Sequence, residues 1–315
     1  MINLHHLRVF YMAAKHQSCT AAAQRLCITQ PAVTAQIHKL EDQCTLKLFK
    51  KRGRNIFLTD EGTALYSYAR RIFECEREAE GAIEEMRNLR RGVLRLGTTK
   101  TYARYFMPLL ITTFHETYPH ITVHLDEGSS LDMIHSLLDL KNEVAVIARA
   151  VEDPAVSFTP FSQEELVVIL PSSHPLAQRA AVTVSELARE PIIMKEVGSG
   201  TRRKVNALFQ RHGCTPNILM ETSNAEFIKQ LVRRGEGFSF LVREAVAVEL
   251  KEKKLATVPL EGEEFFLDVS IAYLKNEPLS RPAQAFLDIL LEMGQGKEAQ
   301  RGLRDIMIRM FEKWK

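Results

Sequence analysis

The chain has 315 residues, of which 45% are hydrophobic and 26% charged, a composition that predicts a folded protein of two or three domains rather than a disordered one. It contains no run of about 18 apolar residues and no charged-then-apolar leader at Met1, so we expect neither a membrane span nor a secretory signal and place the protein in the cytoplasm. The five scattered cysteines form no CxxC pair, which is typical of buried thiols in a reducing compartment.

Positive charge is concentrated at the N-terminal end. Residues 1–60 carry nine Lys or Arg and three Asp or Glu, whereas the rest of the chain carries 33 and 36. This surplus favours a segment that binds a polyanion, because each phosphate neutralised releases condensed counterions. A solvated basic face is the alternative on charge alone.

The stretch SCTAAAQRLCITQPAVTAQIHKLE, residues 18–41, predicts two short helices separated by a tight turn. Ser18 can cap a first helix over residues 19–26, which is rich in helix-forming alanines. Thr29 can cap a second helix, in which Pro31 is tolerated because first-turn N–H groups have no intrahelical partner. Two helices joined in this way are typical of a helix-turn-helix whose second helix enters the major groove of DNA.

The second helix has a polar, nearly uncharged outer face. Val33, Ile37 and Leu40 follow helical spacing and should face the core. A glutamine amide can bond bidentately to adenine, and a threonine can meet a thymine methyl group. We therefore predict a base-reading surface. Its residues are Thr29, Gln30, Pro31, Thr34, Ala35 and His38.

Residues 47–62, KLFKKRGRNIFLTDEG, predict a small hairpin with a basic tip. Such a wing would place Lys51, Arg52 and Arg54 against backbone phosphates or in the minor groove, which adds affinity with little sequence information.

A long helix follows over residues 60–91. Its apolar and small residues keep an uninterrupted heptad spacing, which predicts a coiled coil with a second chain; packing within one chain is the alternative. The seam consists of Leu65, Tyr68, Ile72, Cys75, Ala79, Ala82, Met86 and Leu89.

Residues 4–91 resemble the DNA-binding region of LysR-type transcriptional regulators, in LRVFYMAA, in TAAAQRLCITQPAVTAQIHKLED and in LFKKRGRNIFLTDEG, and the likeness continues over nearly the whole chain. Lys51 stands where the family usually has arginine. The resemblance implies promoter DNA and a small effector as partners, a homodimer through the linker helix, RNA polymerase as a further candidate partner, and no resident cofactor or metal. A homotetramer is the expected assembly of such dimers, and the sequence leaves dimer and tetramer open.

From Gly92 the pattern changes to alternating strands and helices, which predicts two small parallel α/β subdomains. Strands are expected at 93–97, 121–126, 144–148, 166–170, 192–194, 218–221, 238–241 and 267–273. Helices are expected at 102–118, 131–140, 201–212, 225–234 and 281–292. The resemblance implies the same fold class: an α/β effector domain of two Rossmann-like, periplasmic-binding-protein-like subdomains, preceded by a winged helix-turn-helix domain and a long linker helix.

Polar residues follow the predicted strands, where ligands bind in open α/β sheets. Hydroxyls, helix starts and an arginine converging on one cleft favour a small anion, either a carboxylate or an inorganic oxyanion. The predicted effector-binding residues are Thr98, Thr99, Lys100, Thr101, Tyr102, Ser129, Arg149, Ser199, Thr201 and Thr222.

The segment GTTKTYARYFMP is similar to the sulfate-responsive regulators of cysteine biosynthesis within the family, whose ligand-binding threonines correspond to Thr99, Thr101 and Thr201. Tyr102 stands where those proteins often carry glutamine, and Arg149 where they carry threonine. These differences leave sulfate and a larger carboxylate equally open.

The last residues predict an amphipathic helix, which could dock on its own subunit or a neighbour, remain disordered or meet a membrane surface or other partner. Its apolar positions are Leu303, Ile306, Met307, Met310, Phe311 and Trp314.

The predicted domains are a winged helix-turn-helix over 1–59, a linker helix over 60–91, an effector-binding domain over 92–294 and an extension over 295–315. Within the effector-binding domain, subdomain I comprises 92–161 with 266–294, and subdomain II comprises 162–265.

Three other functions are alternatives to a transcriptional regulator. An enzyme would need a motif such as GxSxG, a P-loop or HExxH, none of which occurs. A purely architectural DNA-binding protein would not need an effector cleft. A thiol sensor would depend on Cys214.

Overall fold

The computed structural model describes residues 1–52, 55–149 and 151–294, so Arg54 and the predicted helix at 303–314 lie outside the described residues. The chain divides into two compact units, with the boundary after Glu85. The first contains four helices and a hairpin. Their bounds are α1 (Leu4–His16), α2 (Cys19–Leu26), α3 (Gln30–Cys44), β1 (Phe49–Arg52), β2 (Asn55–Leu58) and α4 (Asp60–Arg87).

Side-chain caps set the helix-turn-helix, and they confirm the predicted starts of α2 and α3. The Ser18 hydroxyl accepts a hydrogen bond from the N–H of Ala21, and Thr29 accepts one from Ala32. Cys27 ends α2 in the left-handed region at φ 55°, which turns the chain sharply before α3. Val33, Ile37 and Leu40 are all buried, as their spacing predicts.

Helix α4 packs its first half on α1. Ala69 and Phe73 are buried against Leu7 and Tyr11. The helix ends at Arg87, four residues before the predicted end. Several members of the predicted heptad seam remain exposed, including Tyr68 at 62%, Ile72 at 41% and Met86 at 49%.

The second unit alternates strands and helices from Gly92 to Gly294. Its strands are β3 (Gly92–Thr99), β4 (Ile121–Gly128), β5 (Val144–Ala148), β6 (Val156–Pro171), β7 (Pro191–Lys195), β8 (Asn217–Thr222), β9 (Ser239–Val242), β10 (Leu255–Val258) and β11 (Phe266–Leu274). Its α-helices are α5 (Lys100–Tyr105), α6 (Met107–Thr117), α7 (Ser130–Leu138), α8 (Val184–Leu187), α9 (Gly200–Arg211), α10 (Ala225–Arg233), α11 (Arg243–Lys251) and α12 (Arg281–Gly294).

The α/β fold is as predicted, but the sheets are mixed, so the prediction of two small parallel α/β subdomains is wrong in strand direction. Strands β3, β4 and β5 are parallel, as are β7 and β8, but β11 runs antiparallel to both β5 and β6. The 16-residue β6 pairs first with β11 and then with β9 and β10, so one strand passes through both subdomains. Strands β6 and β11 both contribute residues to two separate apolar cores.

The predicted helix at 102–118 is two helices. Phe106 separates them at φ −120° and ψ −43°, and Pro108 lies in the first turn of α6. Phe106 is buried beneath the ring of Tyr102. The break makes α5 a short element of its own, whose first residues line the cleft described below.

Candidate effector cleft and DNA-reading surface

A solvent-open cleft of about 450 Å³ lies between the starts of three helices, α5 and α7 of subdomain I and α9 of subdomain II. Its wall combines hydroxyls, two lysines and one glutamate with a few apolar side chains. The lining residues are Thr99, Lys100, Thr101, Tyr102, Ser129, Ser130, Ala148, Lys195, Glu196, Ser199, Gly200, Thr201, Leu241, Val242 and Leu267.

At the start of α5, one predicted threonine has a capping role. The Thr99 hydroxyl accepts a hydrogen bond from the N–H of Tyr102 at 3.4 Å. Lys100 reaches across to subdomain II, where its Nζ donates to the Ser223 hydroxyl at 2.9 Å. Thr101 lines the cleft beside it. This end of α5 therefore brings a cation and hydroxyls to the cleft.

At the start of α7, two adjacent serines have different roles. Ser129 accepts from the N–H of Asp132, and the Asp132 carboxylate accepts from the Ser129 N–H, so the predicted ligand residue is engaged in a capping box. The Ser130 hydroxyl is fully buried and has no hydrogen-bond partner among the described residues. A buried hydroxyl without a partner is costly, which makes Ser130 the serine that a ligand would satisfy.

At the start of α9, close backbone packing replaces a side-chain cap. Ser199 precedes the helix, is 8% exposed and makes no capping hydrogen bond. Gly198 adopts φ +86°, and its carbonyl accepts the Leu131 N–H, which holds this loop against the start of α7. A Cβ on Gly200 would lie 2.5 Å from that of Ala148, so only glycine lets α9 begin at the end of β5.

Lys195 is a cleft residue that the sequence prediction missed. It ends β7, is 5% exposed, and its Nζ donates to the Ser223 carbonyl at 2.6 Å. Burial lowers the pKa of Lys195, and the Glu196 carboxylate at 3.2 Å opposes that change. The rule that selects residues directly after strands could have found it, because the predicted strand ends at Met194.

Two predicted effector residues are directed into the protein interior. Thr98 lies within β3, fully buried, with its hydroxyl donating to the Val146 carbonyl at 2.8 Å, and does not line the cleft. Tyr102 contributes to the wall, but its ring packs on Phe106 in the apolar core. Burial, followed by the charges of Glu164 and Glu244, raises the pKa of the Tyr102 hydroxyl well above its usual range.

Arg149 and Thr222 do not line the cleft either. Arg149 follows β5, but its guanidinium pairs with Glu152 at 2.7 Å and lies over the ring of Phe158. The Thr222 hydroxyl accepts from the N–H of Asn224 at 3.2 Å. Both side chains therefore have local partners, which strand-end position alone does not reveal.

Next to the cleft, an ionic cluster joins α5 to α10 and α11. The Tyr105 hydroxyl lies 2.7 Å from Glu226 Oε1 and 3.2 Å from the Ala245 carbonyl. Lys229, only 5% exposed, pairs with Glu226 and Glu249 at 2.8 Å each. Because the first residues of α5 also line the cleft, this short helix connects the cleft to α10 and α11.

In the first unit, α3 presents an exposed polar face. The Gln30 amide donates to the Thr34 hydroxyl at 3.1 Å, one helical turn away. Pro31, Ala35 and His38 are exposed on the same helix. The Thr29 hydroxyl is engaged as the cap of α3.

The predicted wing is a two-stranded hairpin. Phe49 pairs with Leu58 and Arg52 with Asn55, so Lys51 and Arg52 lie at the far end of β1. Arg54 lies outside the described residues.

Two family matches cover most of the chain. Residues 4–63 match the family described as "Bacterial regulatory helix-turn-helix protein, lysR family", and residues 87–295 match "LysR substrate binding domain". The chain belongs to the LysR family. This LysR regulator is therefore a DNA-binding transcriptional regulator with an effector-binding domain, and it is not an enzyme.

Similar proteins carry regulator names as well. The "RuBisCO operon transcriptional regulator" of Allochromatium vinosum is 33% identical over 290 residues, which cover 92% of this chain and 96% of that protein. The regulatory domain of CcmR from Synechocystis, solved in complex with 2-PG, is 30% identical with a TM-score of 0.61, and the match covers 66% of this chain and 99% of that one. The finer resemblance to sulfate-responsive regulators is not confirmed by these relatives.

Full-length OxyR of Pseudomonas aeruginosa shares the fold of this LysR regulator, with a TM-score of 0.73 at 23% identity, over 92% of this chain and 100% of that one. In the regulator described here, the Cys214 Sγ lies 3.5 Å from the Ser185 hydroxyl. Among the helices that the structure describes, none combines the length and apolarity needed to span a membrane.

Proposed function

We propose that this regulator controls promoter DNA in response to a small anion that binds between α5, α7 and α9. The observation that carries the proposal is that one cleft is lined both by the buried Ser130 hydroxyl, which has no partner within the described part of the chain, and by the buried cation of Lys195. An anion oxygen can accept from both groups. The Ser199 and Thr201 hydroxyls line the same space.

The charge of the cleft supports an anion over a neutral ligand. Lys100 and Lys195 bring two cations, against one carboxylate from Glu196. The N-terminal ends of α7 and α9 add backbone N–H groups and the positive end of each helix dipole. Arg149 and Thr222 are not needed for this charge balance, and we propose no direct contact for them.

The proposed chemical class of the ligand is supported by the CcmR domain, which was solved with 2-PG and is 30% identical, with a match that covers 66% of this chain. We propose 2-PG or a similarly small anion as the effector, with a free carboxylate or oxyanion as the shared chemistry.

For DNA, we propose that Gln30, Thr34, Ala35 and His38 face the bases, while Lys51, Arg52 and Arg54 meet phosphates. We propose that α4 pairs two chains, because Tyr68, Ile72 and Met86 are exposed in one chain and would be buried by a partner helix. Two such dimers would form a tetramer that acts beside RNA polymerase in the cytoplasm. Effector binding would change subdomain packing and hence the spacing of the DNA-binding units.

The proposal is tested by the melting temperature of the full chain in 2-PG, sulfate and acetate, with glycerol as a neutral comparison. We expect at least one anion to raise the melting temperature in a saturable manner, because a ligand that binds only the folded state stabilises it. The variant Lys195→Met should lose this rise, whereas the exposed-lysine control Lys141→Met should keep it. Equal responses in the two variants would rule out the cleft as the anion site.

A further inference from the structure

Glu41 is a buried carboxylate in the helix that faces DNA. It lies in the second half of α3, one residue after the core residue Leu40, and is only 4% exposed. A buried carboxylate is expensive unless several donors satisfy it, so its partners indicate what it holds in place.

Its two oxygens face different neighbours. Oε1 accepts the backbone N–H of Leu48 at 2.9 Å and that of Phe49 at 3.3 Å, where the first strand of the wing begins. Oε2 accepts from Lys47 Nζ at 3.0 Å and lies 3.3 Å from His38 Nδ1. Both of these side chains line an open groove that Gln30 and Thr34 also line. One carboxylate therefore joins the wing to the base-reading face.

The same segment is held from its other side by the start of α4. The Thr59 hydroxyl donates to the Lys47 carbonyl at 2.7 Å, and the Thr59 N–H donates to the Leu48 carbonyl at 3.0 Å. A Cβ on Gly62 would lie 2.1 Å from that carbonyl oxygen, so α4 also packs directly on residue 48. Residues 47–49 are thus a junction between α3, the wing and α4.

We propose that Glu41 is a positioning residue for DNA reading. It fixes the wing relative to α3, so that base contacts from Gln30 and phosphate contacts from Arg52 form on one duplex at the same time. This inference rests on the DNA contacts proposed above. Without the carboxylate, the helix and the wing engage DNA independently, and the preference for the correct sequence falls.

The test compares Glu41→Gln with Asp42→Asn in the full chain. Both substitutions remove one negative charge from neighbouring positions of α3, but Asp42 is exposed. For each variant, dissociation constants are measured on the duplex upstream of the gene and on a shuffled duplex, over a range of salt concentrations. Asp42→Asn should shift both constants alike. Glu41→Gln should lower their ratio about tenfold and reduce the salt slope by about one, as if one phosphate contact were lost.

A second pair of variants tests the same junction without changing any charge and without altering residue 41. Thr59→Val removes the hydroxyl that donates to the Lys47 carbonyl and accepts the Gly62 N–H, whereas Thr63→Val removes one that donates only to the Thr59 carbonyl at the start of α4. Thr59→Val should lower the specificity ratio, and Thr63→Val should leave it unchanged. If Glu41→Gln matches Asp42→Asn and Thr59→Val matches Thr63→Val, the inference is wrong.

Two further variants separate this inference from the proposed function. Gln30→Ala should lower the specificity ratio, and Arg52→Ala should reduce the salt slope. If neither changes its quantity, the proposed DNA contacts fail, and the role of Glu41 fails with them. If both change but the Glu41 and Thr59 variants behave like their controls, only the role of Glu41 is overturned.

Discussion

The Tyr105 hydroxyl donates a 2.7 Å hydrogen bond to the Glu226 carboxylate, which joins α5 of subdomain I to α10 of subdomain II. Tyr105 ends a helix of six residues whose first residues, Lys100 and Thr101, line the candidate effector cleft. A ligand at one end of α5 is therefore one short helix away from the ionic cluster of Lys229 and Glu249.

The substitution Tyr105→Phe should lower both the stability of the protein and its affinity for 2-PG. It deletes one hydrogen bond to a carboxylate and should lower the free energy of unfolding by about 1 to 2 kcal/mol. It should also weaken 2-PG binding about three- to tenfold, because the cross-subdomain bond holds the cleft ready for its ligand. Urea unfolding and calorimetric titration measure the two effects. Tyr118→Phe is the control, and equal 2-PG affinities in the two variants would contradict the coupling.

Gly200 gives a steric test of the same cleft. Gly200→Ala places a methyl group against Ala148, so it should shift the start of α9, cost about 1 to 3 kcal/mol and weaken 2-PG binding. The double variant Gly200→Ala with Ala148→Gly should recover part of the affinity, because the nearest clashing atom is gone. Calorimetry that finds full affinity in the single variant would show that α9 does not contribute to the site.

The hydrogen bonds to Glu41 predict that the stability of the first unit depends on pH. Burial, the largest influence, would raise its pKa, but hydrogen bonds from Leu48, Lys47, Phe49 and His38 together hold the pKa of Glu41 below its ordinary 4.5. Because the folded value is depressed, the stabilisation is present above about pH 4.5 and is lost as the pH falls through the lower folded value.

Hydrogen exchange at the Leu48 amide measures this effect in the full chain. Its protection factor should be high at neutral pH and fall in the acid range. In Glu41→Gln it should be lower at neutral pH and should lack this acid dependence. An identical acid response in both proteins would assign the titration to another group.

The exposed apolar seam of α4 predicts that a charge placed on it will weaken the association of two chains. Ile72→Glu puts a charge on the apolar face that would meet a second chain, so the mass in sedimentation velocity should fall. Ser67→Glu adds the same charge away from the seam and should leave the mass unchanged. A dimer that survives Ile72→Glu would place the contact elsewhere.

Local signals predicted the first unit well, because caps and helical spacing act within a few residues. Ser18 and Thr29 cap α2 and α3 where the sequence indicates, and Val33 is buried as its spacing predicts. The second unit depends on pairing between distant strands. No local pattern reveals that β11 runs antiparallel to β5, or that β6 continues for 16 residues.

The same difference between local and long-range signals explains how much of the candidate effector site could be predicted. Strand ends indicated the region, and Thr99, Thr101, Ser199 and Thr201 do line one cleft. Which hydroxyls remain available depends on geometry: Ser129 is engaged as a cap, whereas its neighbour Ser130 has no described partner. Arg149 and Thr98 likewise bond to neighbouring groups and do not line the cleft, and residue type alone does not identify those neighbours.

The central claim is that an anion in this cleft controls DNA binding. It is tested by the anisotropy of a labelled duplex from upstream of the gene, titrated with the full chain in the presence and absence of 2-PG. We expect 2-PG to change the dissociation constant or the salt slope in the wild type and in Lys141→Met, but not in Lys195→Met. A response to 2-PG that persists undiminished in Lys195→Met would contradict it.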